Sequence, residues 1–219
     1  MHYDEIMRKA PGTEEKGVCK IMPKFQADVL RTYCISLLTA SGVEQSCAEA
    51  VADALIDAEL TGVSTHGVSR LAVYMQRMDA GVVSRGNNIR IVHEAPSAVV
   101  VDAGNSLGAA AAKFAMETCI AKARESGCCF ATVKNSNHFG TAAYFTRLAA
   151  AQDMLGFACT NLKGKIAPFG SAEPYMGTNP ISVAAPSDGL PVVLDMAPSV
   201  VALGKLILAQ KLGKSIPLG

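Results

Sequence analysis

Along the first eighty residues, apolar side chains recur every three or four positions, the spacing of amphipathic helices. One helix is predicted from Pro23, with Val29, Leu30, Tyr33, Cys34, Leu37 and Leu38 inward and Ser41-Gly42 at its end. A second is predicted over 44–61, with Cys47, Ala50, Val51, Ala54, Leu55 and Ala58 inward and Gly62 as its stop. A third follows the loop VSTHG and closes at Gly81, with Val68, Leu71, Met75 and Met78 as its apolar stripe. From residue 88 the pattern changes to β-branched runs alternating with helices, the texture of an α/β fold. The strands are IRIV at 89–92, AVVVDAG at 98–104, CCFATV at 128–133 (expected buried), LGFACT at 155–160, ISVAA at 181–185 and PVVLDMA at 191–197. Helices are expected over 109–126 (Ala112, Ala115, Met116, Cys119, Ile120 and Ala123 inward, Gly127 next), 141–152 and 199–212.

This divides the chain into an N-terminal extension at 1–22, a helical unit at 23–81 and an α/β unit at 88–219. The sequence stops at GKSIPLG with no terminal element after it. The expectation is a truncated chain whose last strand and helix edge an unfinished sheet, a pairing liability.

Half of the 219 residues are apolar, enough for one large or two small cores. Twenty basic side chains balance nineteen acidic ones, with no basic block of the kind that binds nucleic acid or a membrane surface. The expected partner is a small molecule. No apolar run approaches the roughly 18 residues of a membrane span, and residues 1–22 lack the apolar core of a signal peptide, so a cytoplasmic setting is expected. Seven cysteines, at 19, 34, 47, 119, 128, 129 and 159, show no metal-ligand spacing. They read as reduced, mostly buried thiols, and no metal site is expected.

Candidate chemistry falls in two clusters. His66, Arg70 and Tyr74 stand four residues apart, which on a continuous helix puts them in one polar row beside the apolar stripe, on a face the core does not need. A guanidinium can grip both oxygens of a carboxylate while an imidazole and a phenol exchange protons beside it. Taken alone, the row also fits a solvated helix face. The second cluster follows the strand CCFATV, which runs into KNSNHFGTAAYF, with His138 between Asn137 and Gly140 in a polar loop. Such loops, at the carboxyl ends of strands, are where α/β proteins place reactive groups.

No strand is followed by G-x-G-x-x-G, and GKS at 213–215 lacks the earlier glycine of a P-loop, Leu208 standing in its place. A Rossmann domain is therefore disfavoured. A dinucleotide would have to be held elsewhere, by TNLKGKIAPFG at 160–170 (Thr160, Asn161), by GTNP at 177–180 (Thr178, Asn179), and by Asp195, whose carboxylate can accept from ribose hydroxyls. Each of these turns is a weak signal by itself.

Taken in order, STHGVSRLAVY, VKNSNHFGTAAYF, TNLKGKIAPFG, GTNPISVAAP and VVLDMAPSVVALGK resemble the type 2 malate/L-lactate dehydrogenase family, over about residues 25–219. The resemblance implies a non-Rossmann, mixed-sheet cofactor domain and an enzyme that uses NAD or NADP with a 2-hydroxy, 2-oxo or 2-imino acid, as a homodimer when full length. It implies that His138 donates and accepts the proton, and that His66, Arg70 and Tyr74 line the substrate site. It also implies that Asp195, Met196 and Ala197, with the backbone around Leu162, touch the cofactor. Two positions depart from the pattern: Thr65 stands where the family commonly has Ser, and Leu162-Lys163 where relatives often carry small or acidic residues. The family continues well past IPLG, so the rival reading is a non-catalytic fragment with at most a binding role.

Overall fold

The computed structural model describes residues 24–164 and 166–199, together with positions 209, 213, 215 and 216. The N-terminal extension at 1–22 lies outside the described residues, as does nearly all of the helix expected over 199–212.

Helix α1 spans Ala27–Ala40 and α2 spans Gln45–Leu60. The first begins later than its sequence pattern suggested, because Gln26 keeps an extended backbone (φ −66°, ψ 136°). Glu44 caps α2 by accepting from the Ser46 N–H at 3.4 Å. The third helix differs more. Ser64–His66 and Val68–Arg70 are separate 3-10 turns, and only Leu71–Asp79 (α3) is α-helical. Between the turns Gly67 is extended (φ −84°, ψ −153°), so the four-residue spacing of His66, Arg70 and Tyr74 runs through a kink instead of along one cylinder. Tyr74 is moreover buried with Leu71 and Met78, so the core does use one member of the polar row.

The chain then forms two three-stranded sheets. In the first, β1 (Arg90–Ala95) pairs antiparallel with β2 (Ala98–Asp102); α4 (Gly108–Ser126) carries the chain back so that β3 (Phe130–Lys134) lies parallel to β2. Strand β3 is not buried as expected. It is an edge strand with four of its five residues exposed, Phe130 to 61%. An apolar run shows that a strand is strong, not how many neighbours it has. On α4 the buried residues are Gly108, Ala109, Ala110, Ala111 and Ala115, a face displaced from the expected one toward small residues that permit close helix approach.

The second sheet follows α5 (Ala142–Ala150) and is antiparallel, with β4 (Gly156–Cys159), β5 (Ile181–Ala185) and β6 (Val192–Met196) in that order. Cross-strand registers sort its side chains cleanly. Gly156, Ala184 and Val193 align on one face with Ala158, Ser182 and Asp195, while Phe157, Val183 and Leu194 align on the other with Cys159, Ile181 and Met196. The first face meets α5, where buried Ser182 and Thr146 hydroxyls bond at 2.9 Å. The second is open, with Phe157 and Met196 exposed to 55% and 54%.

One core runs from Cys34, Leu38, Val51 and Leu55 through Leu71, Tyr74 and Met78 to Leu107, Ala110 and Phe145. Phe145 is fully buried and stacks on Phe139 at 5.1 Å, which seats the chain beside His138 on the core. Of the six described cysteines all are free thiols, and only Cys34 and Cys47 are buried, fewer than expected. Among the described residues no helix is long and apolar enough to cross a membrane.

Candidate active site

Despite the kink, the two polar clusters meet. The Tyr74 hydroxyl shares a 2.7 Å hydrogen bond with His138 Nδ1, linking residues 64 positions apart. The His66 ring stacks on His138 with centroids 5.5 Å apart and planes 20° from parallel. His66 Nδ1 is 3.0 Å from the Thr65 hydroxyl, a group that serine would also carry at this position. Each imidazole thus has its Nδ1 engaged, which leaves Nε2 for a ligand. Arg70 donates through Nε to the Thr65 carbonyl at 2.6 Å, fixing the guanidinium so that its two terminal nitrogens can meet a carboxylate end-on.

The loop carrying His138 is pinned by its neighbour Asn137 and by Asn135, the second of which the sequence did not single out. Asn137 Nδ2 donates to Asn105 O, Asn105 Oδ1 and Ser106 O at 3.2, 3.0 and 3.0 Å, and Asn135 Nδ2 donates to Asp102 Oδ1 at 3.0 Å. Asn135 and Asn105 both have left-handed backbones (φ 53° and 62°), a conformation asparagine tolerates better than most residues. Arg77, seven residues beyond Arg70, reaches Asn137 Oδ1 at 3.4 Å and adds a second guanidinium. Its spacing was the available signal.

These surroundings set the charges. Loss of water around the His138 ring, then the neighbouring His66, Arg70 and Arg77, push its pKa from 6.5 down to about 4. The residue also keeps an exposed side that water reaches. His66 is also lowered, first by burial and then by Arg70, with Asp195 opposing. Burial lifts the Tyr74 hydroxyl to about 12, so it stays protonated. In the pair of rings, folding therefore favours the uncharged form. Stability from His138 is present above pH 6.5 and is lost as pH falls toward 4, because the unfolded chain binds that proton more readily. The thermal midpoint of a His138→Gln variant should accordingly fall less than that of the parent between these pH values. An equal fall would remove His138 from the linkage.

The other expected residues gather at one end of the second sheet. Thr160 N donates to Pro180 O at 3.3 Å, and Leu162 N donates to Asn179 Oδ1 at 3.0 Å, so the segments bearing Thr160, Asn161, Leu162, Thr178 and Asn179 run side by side. The backbone around Leu162, expected at a cofactor, is thus held in place by Asn179. Asp195 Oδ2 accepts from the Ala143 N–H at 3.0 Å, tying the end of β6 to the first turn of α5, five residues after His138. Asp195 and Met196, as neighbours on β6, point to opposite faces of the sheet. Thr141, at the N-cap of α5, has its hydroxyl buried without a hydrogen-bond partner among the described residues.

An arginine, two imidazoles and a phenol thus stand together on a mixed α/β scaffold, an arrangement that can pair with a carboxylate and exchange a proton beside it. The family model for malate/L-lactate dehydrogenase matches residues 25–219, and the chain belongs to that family. It is 40% identical over 206 residues to the malate dehydrogenase of Pyrococcus abyssi, covering 94% of this chain and 57% of that protein. It is 39% identical over 189 residues to a (2R)-3-sulfolactate dehydrogenase (NADP(+)) of Chromohalobacter salexigens, covering 86% of this chain and 56% of that one. The solved malate dehydrogenase of Pyrococcus horikoshii OT3 superposes with a TM-score of 0.83 at 38% identity, over 88% of this chain and 56% of the other. The chain therefore spans a little over half the length of the relatives it matches.

Proposed function

We propose that the chain carries the substrate and proton-transfer site of an NAD- or NADP-dependent 2-hydroxy acid oxidoreductase, acting on a malate- or lactate-like acid. The observation that carries this reading is the 2.7 Å bond between Tyr74 and His138 beneath the His66 ring, with Arg70 alongside. In the oxidation direction Arg70 holds the substrate carboxylate and His138 Nε2 takes the hydroxyl proton. That role requires the tautomer with hydrogen on Nδ1 donating to the Tyr74 oxygen, an assignment made from the chemistry of the transfer. The nicotinamide ring, when bound, takes up or returns the hydride. Asp195, Met196 (through its backbone), Ala197 and the paired segments bearing Thr160, Asn161, Leu162, Thr178 and Asn179 would hold the dinucleotide. Three features fit such a ligand: the Asp195 carboxylate at the head of α5, the convergence of loops at one sheet end, and the unpartnered Thr141 hydroxyl. The reading extends to a cytoplasmic homodimer with neither nucleic acid nor membrane as partner, in keeping with a net charge of +1.

Arg70→Lys tests the carboxylate assignment. A point-charge ammonium cannot reproduce the two-pronged contact, so the KM for the acid should rise about tenfold or more while that for the cofactor barely moves. A rise confined to the cofactor KM would move Arg70 to the other half of the site.

Binding should also take up a proton. A 2-oxo acid carboxylate on Arg70 offsets one of the cations that hold His138 down, so its pKa rises on binding. Titration calorimetry in buffers of different ionisation enthalpy should show up to about one proton bound per site between about pH 5 and 7. Zero uptake across that range would show that His138 does not sense the carboxylate.

A further inference from the structure

The break between the two 3-10 turns is stabilised by a residue from a different element. Glu59, in the last turn of α2, accepts a hydrogen bond from the Val68 N–H at 2.9 Å. Val68 begins the second turn, where a backbone N–H has no partner within the turn itself. Gly67 is buried and stands against the same side chain: a Cβ there would lie 2.8 Å from Glu59 Cγ and closer still to the carboxylate. The glycine thus makes room for the glutamate, and the glutamate caps the turn that begins beside it. His66 closes the first turn and Arg70 the second, so the position of this joint sets where the imidazole and guanidinium stand relative to each other.

We propose that Glu59 is a positioning residue for the substrate site: its carboxylate fixes the joint at Gly67-Val68 and thereby the separation of His66 and Arg70. The proposal rests on the carboxylate-binding reading above only for its affinity readout. A site held loosely by even an ångström loses its preorganisation, and with it much of its grip on a small ligand.

The test uses the 219-residue chain with its histidines isotope-labelled, and oxalate as a non-reacting stand-in for a 2-oxo acid. Glu59→Ala should shift the ring resonances of His66 while leaving those of His93 on β1 in place, and should weaken oxalate binding about tenfold. Glu59→Gln keeps an oxygen that accepts from Val68 and should resemble the parent in both measurements, which a need for the negative charge itself would not allow. Gly67→Ala should reproduce the Glu59→Ala effects, since the new methyl takes the carboxylate's place. The double variant should be no worse than either single one, the signature of two changes acting on one contact. Unchanged His66 resonances and oxalate affinity in Glu59→Ala, or additive losses in the double variant, would overturn the proposal. If oxalate fails to bind the parent, the carboxylate reading falls, and the His66 resonances still decide the role of Glu59.

Discussion

If the proposed function holds, replacing His138 by alanine in a full-length version should lower turnover of a 2-oxo acid by about 100-fold or more, the usual size of a general acid-base contribution. The argument is geometric before it is electrostatic. His138 is the residue on which Tyr74, His66 and the asparagine-pinned loop converge, and its Nε2 is the ring nitrogen left open. Its lowered pKa keeps it uncharged at neutral pH, as the acceptor of the oxidation direction must be, and the proton taken up with a bound 2-oxo acid would make it the donor for reduction. A structural histidine would behave differently: its removal would lower the melting temperature and leave turnover per folded molecule intact. Measuring both separates the roles, and a loss below about fivefold takes His138 out of the mechanism.

A change that touches no reactive group should do comparable harm. Gly108 opens α4, and a Cβ there would lie 2.6 Å from the His138 carbonyl oxygen and 2.7 Å from the Asn137 carbonyl carbon. Both are backbone atoms that cannot swing aside. In an ordinary helix Gly→Ala gains about 0.5–1 kcal/mol, so the sign of the effect is itself diagnostic. Here Gly108→Ala should cost about 1–3 kcal/mol of stability as overpacking. What remains folded should show kcat/KM reduced about 100-fold, because displacing the His138 loop by an ångström misaligns the proton transfer. A stabilised variant with parental kcat/KM would show that the loop is not held where the structure puts it.

The parts of this architecture legible in the sequence are those encoded by nearest neighbours. Alternation over ISVAA gave β5 residue for residue, and the helical period with Gly62 and Gly127 gave α2 and α4 to within a residue or so. His138 was legible as a candidate because loops at the carboxyl ends of strands are where α/β proteins place reactive groups. The 3-10 break at Gly67 was not, because the four-residue spacing of His66, Arg70 and Tyr74 satisfies a continuous helix, and the partner that stabilises the break lies nine residues upstream. The exposure of β3 and the depth of Tyr74 were hidden for a related reason. Both depend on which elements pack alongside, and a run such as CCFATV reads the same with one strand neighbour as with two. Asp195 and the loops at 160–170 and 177–180 were the polar places left for a dinucleotide, each a weak signal by itself, and the resemblance added Met196, Ala197 and the backbone around Leu162.

The contact between Asp195 and the Ala143 N–H links the proposed cofactor end of the site to the first turn of α5. A ligand that drew on the Asp195 carboxylate would also adjust that turn, which begins four residues after His138. Whatever factor a dinucleotide at Asp195 contributes to the affinity of the acid at Arg70, the acid must return to the dinucleotide in equal measure. Cutting the latch, as in Asp195→Ala, should bring that shared factor closer to one.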